Sequence, residues 1–136
     1  MKFYRNFCLT LIAGFSTISS MNVMANTDVR IKILQTTDVH GNFFPYNFIT
    51  RTPWKGSLAR VAFVIDSVRA AAGKENVVLI DNGDILQGQP TVYYYNFIDT
   101  VSPHIASRIY DFLQYDAATI GNHDVETGHH VYDRWI

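Results

Sequence analysis

The chain has 136 residues, a formal net charge of −1 and 48% hydrophobic residues, which is enough apolar material for the core of one modest domain. The charge is near neutral and no basic run occurs, so binding to a nucleic-acid polymer has no electrostatic basis. The only cysteine, Cys8, lies in a segment that we expect to be removed, so the mature protein is predicted to contain no disulfide.

Residues 1–25 are typical of an export signal. Lys2 and Arg5 precede an apolar run at residues 7–18 that is too short to span a bilayer. Ala25 supplies a small residue before the expected cleavage point at Asn26. The alternative is a buried N-terminal helix. We expect export, with residues 26–136 forming the folded part and no stable membrane association after cleavage.

Three short apolar runs predict parallel strands at residues 29–34, 77–80 and 117–120. The middle run, V-V-L-I, is expected to be buried. Each run leads into a cluster rich in Asp, Asn and His, and these clusters occupy residues 36–42, 81–84 and 121–124. Open α/β sheets place their ligands at the carboxyl ends of such strands. One cluster could be turn or capping chemistry, but three in succession favour a metal site.

The segments between the strands predict helices. They are residues 58–72 with Ser57 as N-cap and Gly73 as stop, a helix from near Thr91, a helix opened by Ser102-Pro103, and a helix over residues 126–136. The apolar residues at 92–98 are expected to pack in the core or an interface. The predicted class is therefore α/β, built from parallel βαβ units.

Residues 41–56 form a long connection rich in aromatic side chains, which either line a pocket or hold the loop against the body of the protein. Three further histidines carry no metal-binding pattern of their own. His104 is expected to be solvated or to cap a helix, and His129 and His130 are expected to be exposed.

The polar clusters contain suitable ligands for two cations. Asp38 and His40 lie two residues apart on a segment taken as extended, so both can reach one ion. The two oxygens of Asp84 can bridge that ion to a second, to which Asn122 offers an amide oxygen. Two ions about 3.5–4 Å apart suit displacement at phosphorus. These ligand types accept Zn, Mn, Fe or Co.

His123 follows Asn122 and can donate a hydrogen bond or a proton to the leaving oxygen. A nearby carboxylate would hold its ring and favour the protonated form, and the candidates are Asp124 and Glu126.

Three motifs, Asp38-Val39-His40, Gly83-Asp84 with Gln87-Gly88, and Gly121-Asn122-His123-Asp124, closely resemble those of the calcineurin-like metallophosphoesterases. The surrounding sequence is similar to the 5′-nucleotidase branch, which includes 2′,3′-cyclic-nucleotide phosphodiesterase/3′-nucleotidases. The residues that carry this likeness are Thr36-Thr37, Asn42, Gln87-Gly88-Gln89-Pro90 and Gly128.

The resemblance implies the first half of a metallophosphoesterase α/β sandwich. It makes Asp38 and His40 ligands of one metal, Asp84 the bridge and Asn122 a ligand of the other. His123, which with Asn122 would contact the substrate phosphate, becomes the catalytic residue. Glu126 stands where the branch more commonly has the Asp that orients this histidine.

The family completes its metal site with further histidines, including a G-H-x-H motif, which this sequence lacks. We therefore expect a fragment of a longer enzyme, without the C-terminal nucleotide-binding domain, that is inactive alone and unstable because of an unpaired sheet edge. The expected substrate is a nucleotide phosphate ester. The alternatives are a relative acting on sugar phosphates or a sulfur ester, and a metal-binding protein without turnover.

Overall fold

The computed structural model describes residues 28–135. The expected export signal, its cleavage before Asn26, and Ile136 at the end of the expected last helix lie outside the described residues. No helix among the described residues combines the length and apolar character needed to cross a bilayer.

Five strands and five α-helices form the described part of the chain. The strands are β1 (Lys32–Thr36), β2 (Tyr46–Asn47), β3 (Thr52–Pro53), β4 (Val77–Asp81) and β5 (Ala117–Ala118). The helices are α1 (Leu58–Ala72), α2 (Pro90–Phe97), α3 (Ile105–Leu113), α4 (Asn122–Glu126) and α5 (His129–Tyr132). A short 3₁₀ turn, Lys74–Asn76, precedes β4.

The predicted parallel sheet is confirmed, with strand order β1-β4-β5. β1 pairs with β4 from Lys32↔Val77 to Thr36↔Asp81, so β1 begins and ends later than the predicted residues 29–34. Pairing with Val77 at the start of β4 decides where β1 begins. β5 is shorter than predicted, since only Ala117 and Ala118 pair with β4.

One face of the sheet is covered and the other is open within residues 28–135. Leu79 on the covered face is 0% exposed, whereas the paired residues Ile33 and Val78 on the other face are 70% and 36% exposed. β4 therefore alternates and is not buried on both faces, contrary to prediction. The strand order advances in one direction, and right-handed crossovers then carry every connecting helix to the same face.

The hydrophobic core lies between the covered face and the helices. It draws residues from the loop after β1, from α1, β4, the segment after β4, α2, α3 and α5, and from Trp135: Phe43, Leu58, Ile65, Leu79, Ile85, Leu86, Val92, Ala106, Tyr110, Leu113, Val131 and Trp135. These buried residues form one continuous core. The core packs against the sheet and keeps the ends of the three strands in place relative to one another.

Helix α1 has the predicted bounds, but its N-terminus is capped differently. The side chain of Ser57 makes no capping hydrogen bond. Instead, the amides of Leu58 and Ala59 donate to the carbonyl oxygens of Asn42 and Phe43 at 2.8 and 3.0 Å. The start of α1 is therefore tied to the loop that follows β1, next to the first polar cluster.

The aromatic connection contains the short β2–β3 hairpin. Phe43 is buried and holds the loop against the core, as one of the two alternatives expected. Phe44, Tyr46 and Phe48 are 40–47% exposed and pack on one another, with ring centroids 5.2–6.1 Å apart. Trp54 agrees with the other alternative, in which the aromatic residues line a pocket, because it lines an open cavity beside Asp38.

Helix α2 begins at Pro90 as expected, but its aromatic residues are not core residues. Val92 is buried, whereas Tyr93, Tyr94 and Phe97 are 58%, 46% and 45% exposed. Of the two roles expected for residues 92–98, packing in the core is wrong for most of these side chains, and packing in an interface stays a prediction. A two-turn helix that is apolar all round can turn only one side to the core.

His104 caps α3 and is completely buried, so the capping alternative is correct and the solvated one is wrong. Its Nδ1 accepts the amide of Ala106 at 3.1 Å, and its Nε2 lies 2.9 Å from Asn96 Oδ1. The side-chain nitrogen of Asn96 donates to the Leu86 carbonyl at 2.6 Å. This network requires a neutral ring. Burial, with a smaller contribution from the Arg134 charge, lowers the pKa of His104 to about 4.

The end of the chain differs from the predicted helix over residues 126–136. Helix α4 begins four residues earlier, at Asn122, and α5 follows after Gly128. Gly128 has φ +87°, a conformation that interrupts a helix and that glycine adopts readily. His129 and His130 are exposed, as predicted.

The neutral His104 ring predicts a loss of stability in acid. An unfolded histidine titrates near 6.5, so between pH 6.5 and 4 the unfolded chain binds a proton that the folded chain excludes. Above about pH 6.5 the His104 ring should give no pH dependence to the free energy of unfolding. This free energy should decrease as the pH falls from 6.5 toward 4. Urea midpoints at pH 7 and pH 5 test this. His104→Gln, which cannot titrate, should lose less stability over the same interval, and an equal loss in both proteins would contradict the assignment.

Candidate metal centre and catalytic site

The structure brings three of the four predicted metal ligands into one cluster. Ligand atoms of Asp38, His40 and Asp84 all lie within 4.8 Å of one another. Asp38 is exposed, His40 is half-buried and Asp84 is buried at the carboxyl end of β4. Two carboxylates and an imidazole at this spacing fit a divalent cation such as Zn, Mn, Fe or Co.

All three residues have backbone conformations that are uncommon for residues with side chains. The φ angles of Asp38, His40 and Asp84 are +53°, +50° and +61°. The segment that holds Asp38 and His40 was predicted to be extended. The structure shows a turned segment instead. Left-handed backbone at several residues of one cluster is typical of a functional site, because the strain persists only where surrounding contacts impose it.

Backbone hydrogen bonds impose this conformation. The amide of Asp38 donates to the Gly83 carbonyl at 3.0 Å, and the amide of His40 donates to the Asp84 carbonyl at 2.9 Å. The loops after β1 and β4 are therefore joined residue by residue beyond the sheet. The ligand atoms are positioned by the main chain of both strands.

His40 presents its Nε2 to the cluster. Its Nδ1 lies 3.0 Å from the carbonyl oxygen of Gln87. A carbonyl can only accept, so in the neutral imidazole Nδ1 carries the proton and Nε2 has the free lone pair. Nε2 lies 3.8 Å from Asp38 Oδ1, on the side where a cation would bind. This fixed tautomer is the form required of a metal ligand.

Asp84 and the third loop are in close contact. Asp84 Oδ1 accepts the backbone amide of His123 at 2.9 Å. A Cβ on Gly121 would lie 2.1 Å from the same oxygen, so only glycine allows this approach. Asn122, between these two residues, is exposed at the start of α4. Asn122 is the fourth predicted ligand, and the backbone of its two neighbours, Gly121 and His123, lies against Asp84.

His123 lies beside the cluster and is held by Glu126. The ring centroids of His123 and His40 are 5.4 Å apart. His123 Nδ1 lies 3.0 Å from Glu126 Oε2, one helical turn away on α4. This hydrogen bond first, and the negative charges of Glu126, Asp84 and Asp124 next, raise the pKa of the His123 ring. Glu126 is therefore the carboxylate that contacts His123, and its role in orienting a catalytic histidine stays a prediction.

Asp124, the other candidate for holding His123, has a different role. It is completely buried, and its carboxylate accepts four backbone amides, from Asp84, Ile85, Leu86 and Gly121, at 2.6–2.9 Å. Its contacts are therefore with the main chain of the two loops and not with the ring of His123. Its place three residues after Gly121, at a helix start, was a sequence signal for amide capping.

Sequence reasoning gave no individual role to Gln87. Its carbonyl oxygen contacts His40, and its side-chain Nε2 lies 3.1 Å from Glu126 Oε2. A glutamine after a Gly-Asp pair carries no general signal for such contacts, which depend on the course of the loop after β4.

With this geometry established, comparison with known proteins identifies the family. The sequence profile of the calcineurin-like phosphoesterases matches residues 31–135. The chain belongs to this family.

Relatives in the family are named as nucleotide phosphoesterases. The 2′,3′-cyclic-nucleotide 2′-phosphodiesterase/3′-nucleotidase of Yersinia enterocolitica is 32% identical over 129 residues, or 93% of this chain and 19% of the relative. The trifunctional nucleotide phosphoesterase YfkN of Bacillus subtilis is 35% identical over 111 residues, or 76% of this chain and 8% of the relative. The chain thus spans a fifth or less of the length of these relatives.

Solved structures share the fold. The calcineurin-like phosphoesterase YfkN from Bacillus subtilis superposes with a TM-score of 0.70 at 34% identity, covering 79% of this chain and 34% of that one. A putative 5′-nucleotidase from Staphylococcus aureus gives a TM-score of 0.67 at 30% identity, covering 76% of this chain and 20% of that one. The expected fold class, a first part of the family's α/β fold with parallel βαβ units, is confirmed.

The contacts of Asp124 predict that it stabilises the protein. In Asp124→Asn the side-chain NH₂ would face backbone donors that now bond to a carboxylate oxygen, so the free energy of unfolding should fall by about 2–3 kcal/mol. Urea unfolding of the full-length protein measures this. Asp66→Asn, at an exposed position of α1, is the matched control and should change stability little. Equal effects of the two substitutions would contradict the structural role.

The close approach of Gly121 to Asp84 predicts a specific effect on metal binding. In Gly121→Ala the new methyl group would lie 2.1 Å from Asp84 Oδ1 and 2.6 Å from the Asp84 backbone nitrogen, so both the carboxylate and the main chain of Asp84 must move. We expect Mn²⁺ affinity to fall at least ten-fold, measured by titration calorimetry of the full-length protein. Gly56→Ala is the control, since its Cβ would meet only the Trp54 ring, at 3.2 Å or more. Unchanged affinity in Gly121→Ala would show that Asp84 does not bind the ion.

Proposed function

We propose that this chain carries the first part of the metal site of an exported two-metal phosphoesterase that hydrolyses nucleotide phosphate esters. The observation that supports this most directly is the cluster of Asp38, His40 and Asp84 within 4.8 Å, beside a histidine held by a carboxylate. The names of the relatives, cyclic-nucleotide phosphodiesterase/3′-nucleotidase and nucleotide phosphoesterase, support the substrate class.

The proposed ligand roles follow the positions of the donor atoms. Asp38 and His40 hold the first cation through a carboxylate oxygen and the free Nε2. Asp84 would hold both cations, and Asn122 would offer its amide oxygen to the second ion and its side-chain NH₂ to the substrate phosphate. When bound, the two divalent cations bind the phosphoryl oxygens and acidify a water molecule.

His123 is the proposed general acid. Glu126 accepts from Nδ1, which directs Nε2 away from α4, and Nε2 then donates a proton to the leaving oxygen of the ester. The hydrogen bond to Glu126 raises the pKa of His123, which favours the protonated ring that this role requires. A site that only stored metal would gain nothing from this pair.

We further propose that the activity belongs to a protein longer than this chain. The chain covers 19% and 8% of the two relatives, and the ligand set within residues 28–135 holds three His and Asp residues in one cluster. Further histidines and a nucleotide-binding domain in the longer protein would complete the site. Residues 1–25 are proposed as the export signal, with a periplasmic or extracellular mature protein.

The test is an assay of the full-length protein after removal and replacement of metal. Protein stripped with EDTA should be inactive. Added Mn²⁺ or Zn²⁺ should restore either the release of phosphate from 3′-AMP or 5′-AMP, or the ring opening of 2′,3′-cyclic AMP. Activity only on sugar phosphates or sulfur esters would assign the protein to the alternative class. Metal binding without turnover of any ester would overturn the proposal.

The assigned role of His123 predicts a separate loss. His123→Ala should lower kcat on a nucleotide by about 10²–10⁴-fold, because the leaving oxygen would depart without a proton. Metal content should remain near two ions per chain by plasma emission analysis. The matched control is His129→Ala, at a histidine whose side chain is 85% exposed and outside the cluster, which should retain wild-type kcat. Wild-type turnover by His123→Ala would remove the general-acid assignment.

A further inference from the structure

Gln87 contacts His40 directly and is linked to His123 through Glu126. Its backbone carbonyl oxygen lies 3.0 Å from His40 Nδ1. Its side-chain Nε2 lies 3.1 Å from Glu126 Oε2, and the same Glu126 oxygen lies 3.0 Å from His123 Nδ1. One residue is therefore linked to the proposed metal ligand by its main chain and to the proposed general acid through one carboxylate oxygen.

The main chain around Gln87 is fixed on both sides. The preceding residue, Leu86, donates its amide to Asp124 and accepts from Asn96 at its carbonyl. The following residue, Gly88, passes so close to His40 that a Cβ there would lie 2.7 Å from the His40 carbonyl oxygen. The amide of Gln89 donates to that same carbonyl at 3.1 Å. The backbone of Gln87 is therefore rigid, whereas the Glu126 side chain that Gln87 contacts is not held in this way.

Glu126 needs such a partner. Its side chain is 55% exposed, and a single hydrogen bond to His123 would leave its torsions free to move the ring. A second hydrogen bond from a fixed donor restricts Glu126. The donor is also neutral, so the negative charge of Glu126 remains directed at His123 and is not cancelled by a neighbouring cation. A lysine or arginine at this position would compete with His123 for the carboxylate.

We propose that Gln87 is a positioning residue for the reaction. Its side-chain amide orients Glu126 and, through it, the ring of His123, while its carbonyl fixes the tautomer of His40. One residue thereby sets the position of the proton donor, His123, relative to the metal ligand, His40. This proposal rests on the proposed function, because it assigns Gln87 to the same reaction.

The kinetic test uses Gln87→Met, which keeps the length of the side chain and removes its donor. We expect kcat on a nucleotide to fall about ten-fold or more with KM within about two-fold of wild type, since positioning acts on the reacting geometry. The loss should be much smaller on p-nitrophenyl phosphate, whose leaving group needs no proton. Gln89→Met is the control, because the Gln89 side chain makes no hydrogen bond in the part of the chain that the structure describes, and it should match wild type.

A double-mutant cycle separates positioning from a general structural effect. In a Glu126→Ala background, Gln87→Met should have no further effect, because the contact through which it acts is gone. An equal loss on both leaving groups that persists in the Glu126→Ala background would overturn the proposal, as would wild-type kcat in Gln87→Met.

A second readout does not depend on turnover. In metal-free full-length protein labelled with ¹⁵N-histidine, at a pH where the His123 ring is neutral, the His123 signal, assigned with His123→Ala, should report a proton on Nδ1 in wild type and a mixture of tautomers in Gln87→Met. An unchanged signal in Gln87→Met would overturn the proposal. If wild type hydrolyses no ester, the proposed function fails, and the positioning contact is still tested by this measurement.

Discussion

The candidate site depends on one buried carboxylate. Asp124 accepts four backbone amides at 2.6–2.9 Å, three from the loop after β4 and one from the loop after β5. Water is excluded from this group, which is 0% exposed, so its charge is balanced only by these fixed donors. The two loops cannot separate without leaving the charge unpaired. Because Asp84 is one of the four donors, the central candidate ligand is held by the same interaction that joins the loops.

The left-handed conformations of Asp38, His40 and Asp84 are a consequence of this rigidity. Each costs free energy, about 1 kcal/mol or more for a residue with a side chain. A flexible loop would relax to extended or helical angles. Here the amides of Asp38 and His40 are bound to the carbonyls of Gly83 and Asp84, which are themselves held through Asp124. The strain is retained because hydrogen bonds and packing exceed it, and its result is a set of donor atoms aimed at one point before any ion binds.

The sequence predicted most of this arrangement but not its details. Short apolar runs were sufficient to predict the parallel strands and the polar clusters at their ends, and helical spacing with the flanking Ser57 and Gly73 was sufficient for α1. The bounds of β1 and β5 were wrong because pairing with β4, a tertiary contact, decides where they begin and end. Core packing of the α2 aromatic residues was wrong, and the contacts of Asp124 with the main chain were not predicted. Composition does not reveal which side of a helix meets the core, and a carboxylate beside a histidine in sequence can point to the backbone instead.

The donors around each aspartate distinguish structural carboxylates from candidate ligands. Asp124 has both oxygens saturated by amides, and buried Asp81 uses one oxygen for Gly83 and the other for Thr36. Asp84 is also buried, but among residues 28–135 only its Oδ1 receives a hydrogen bond, from the amide of His123. A buried carboxylate with a free oxygen is unfavourable unless a positive charge approaches it. Asp84 lies in the same cluster as Asp38 and His40, whose Nδ1 faces the Gln87 carbonyl, and a divalent cation is a partner that fits all three.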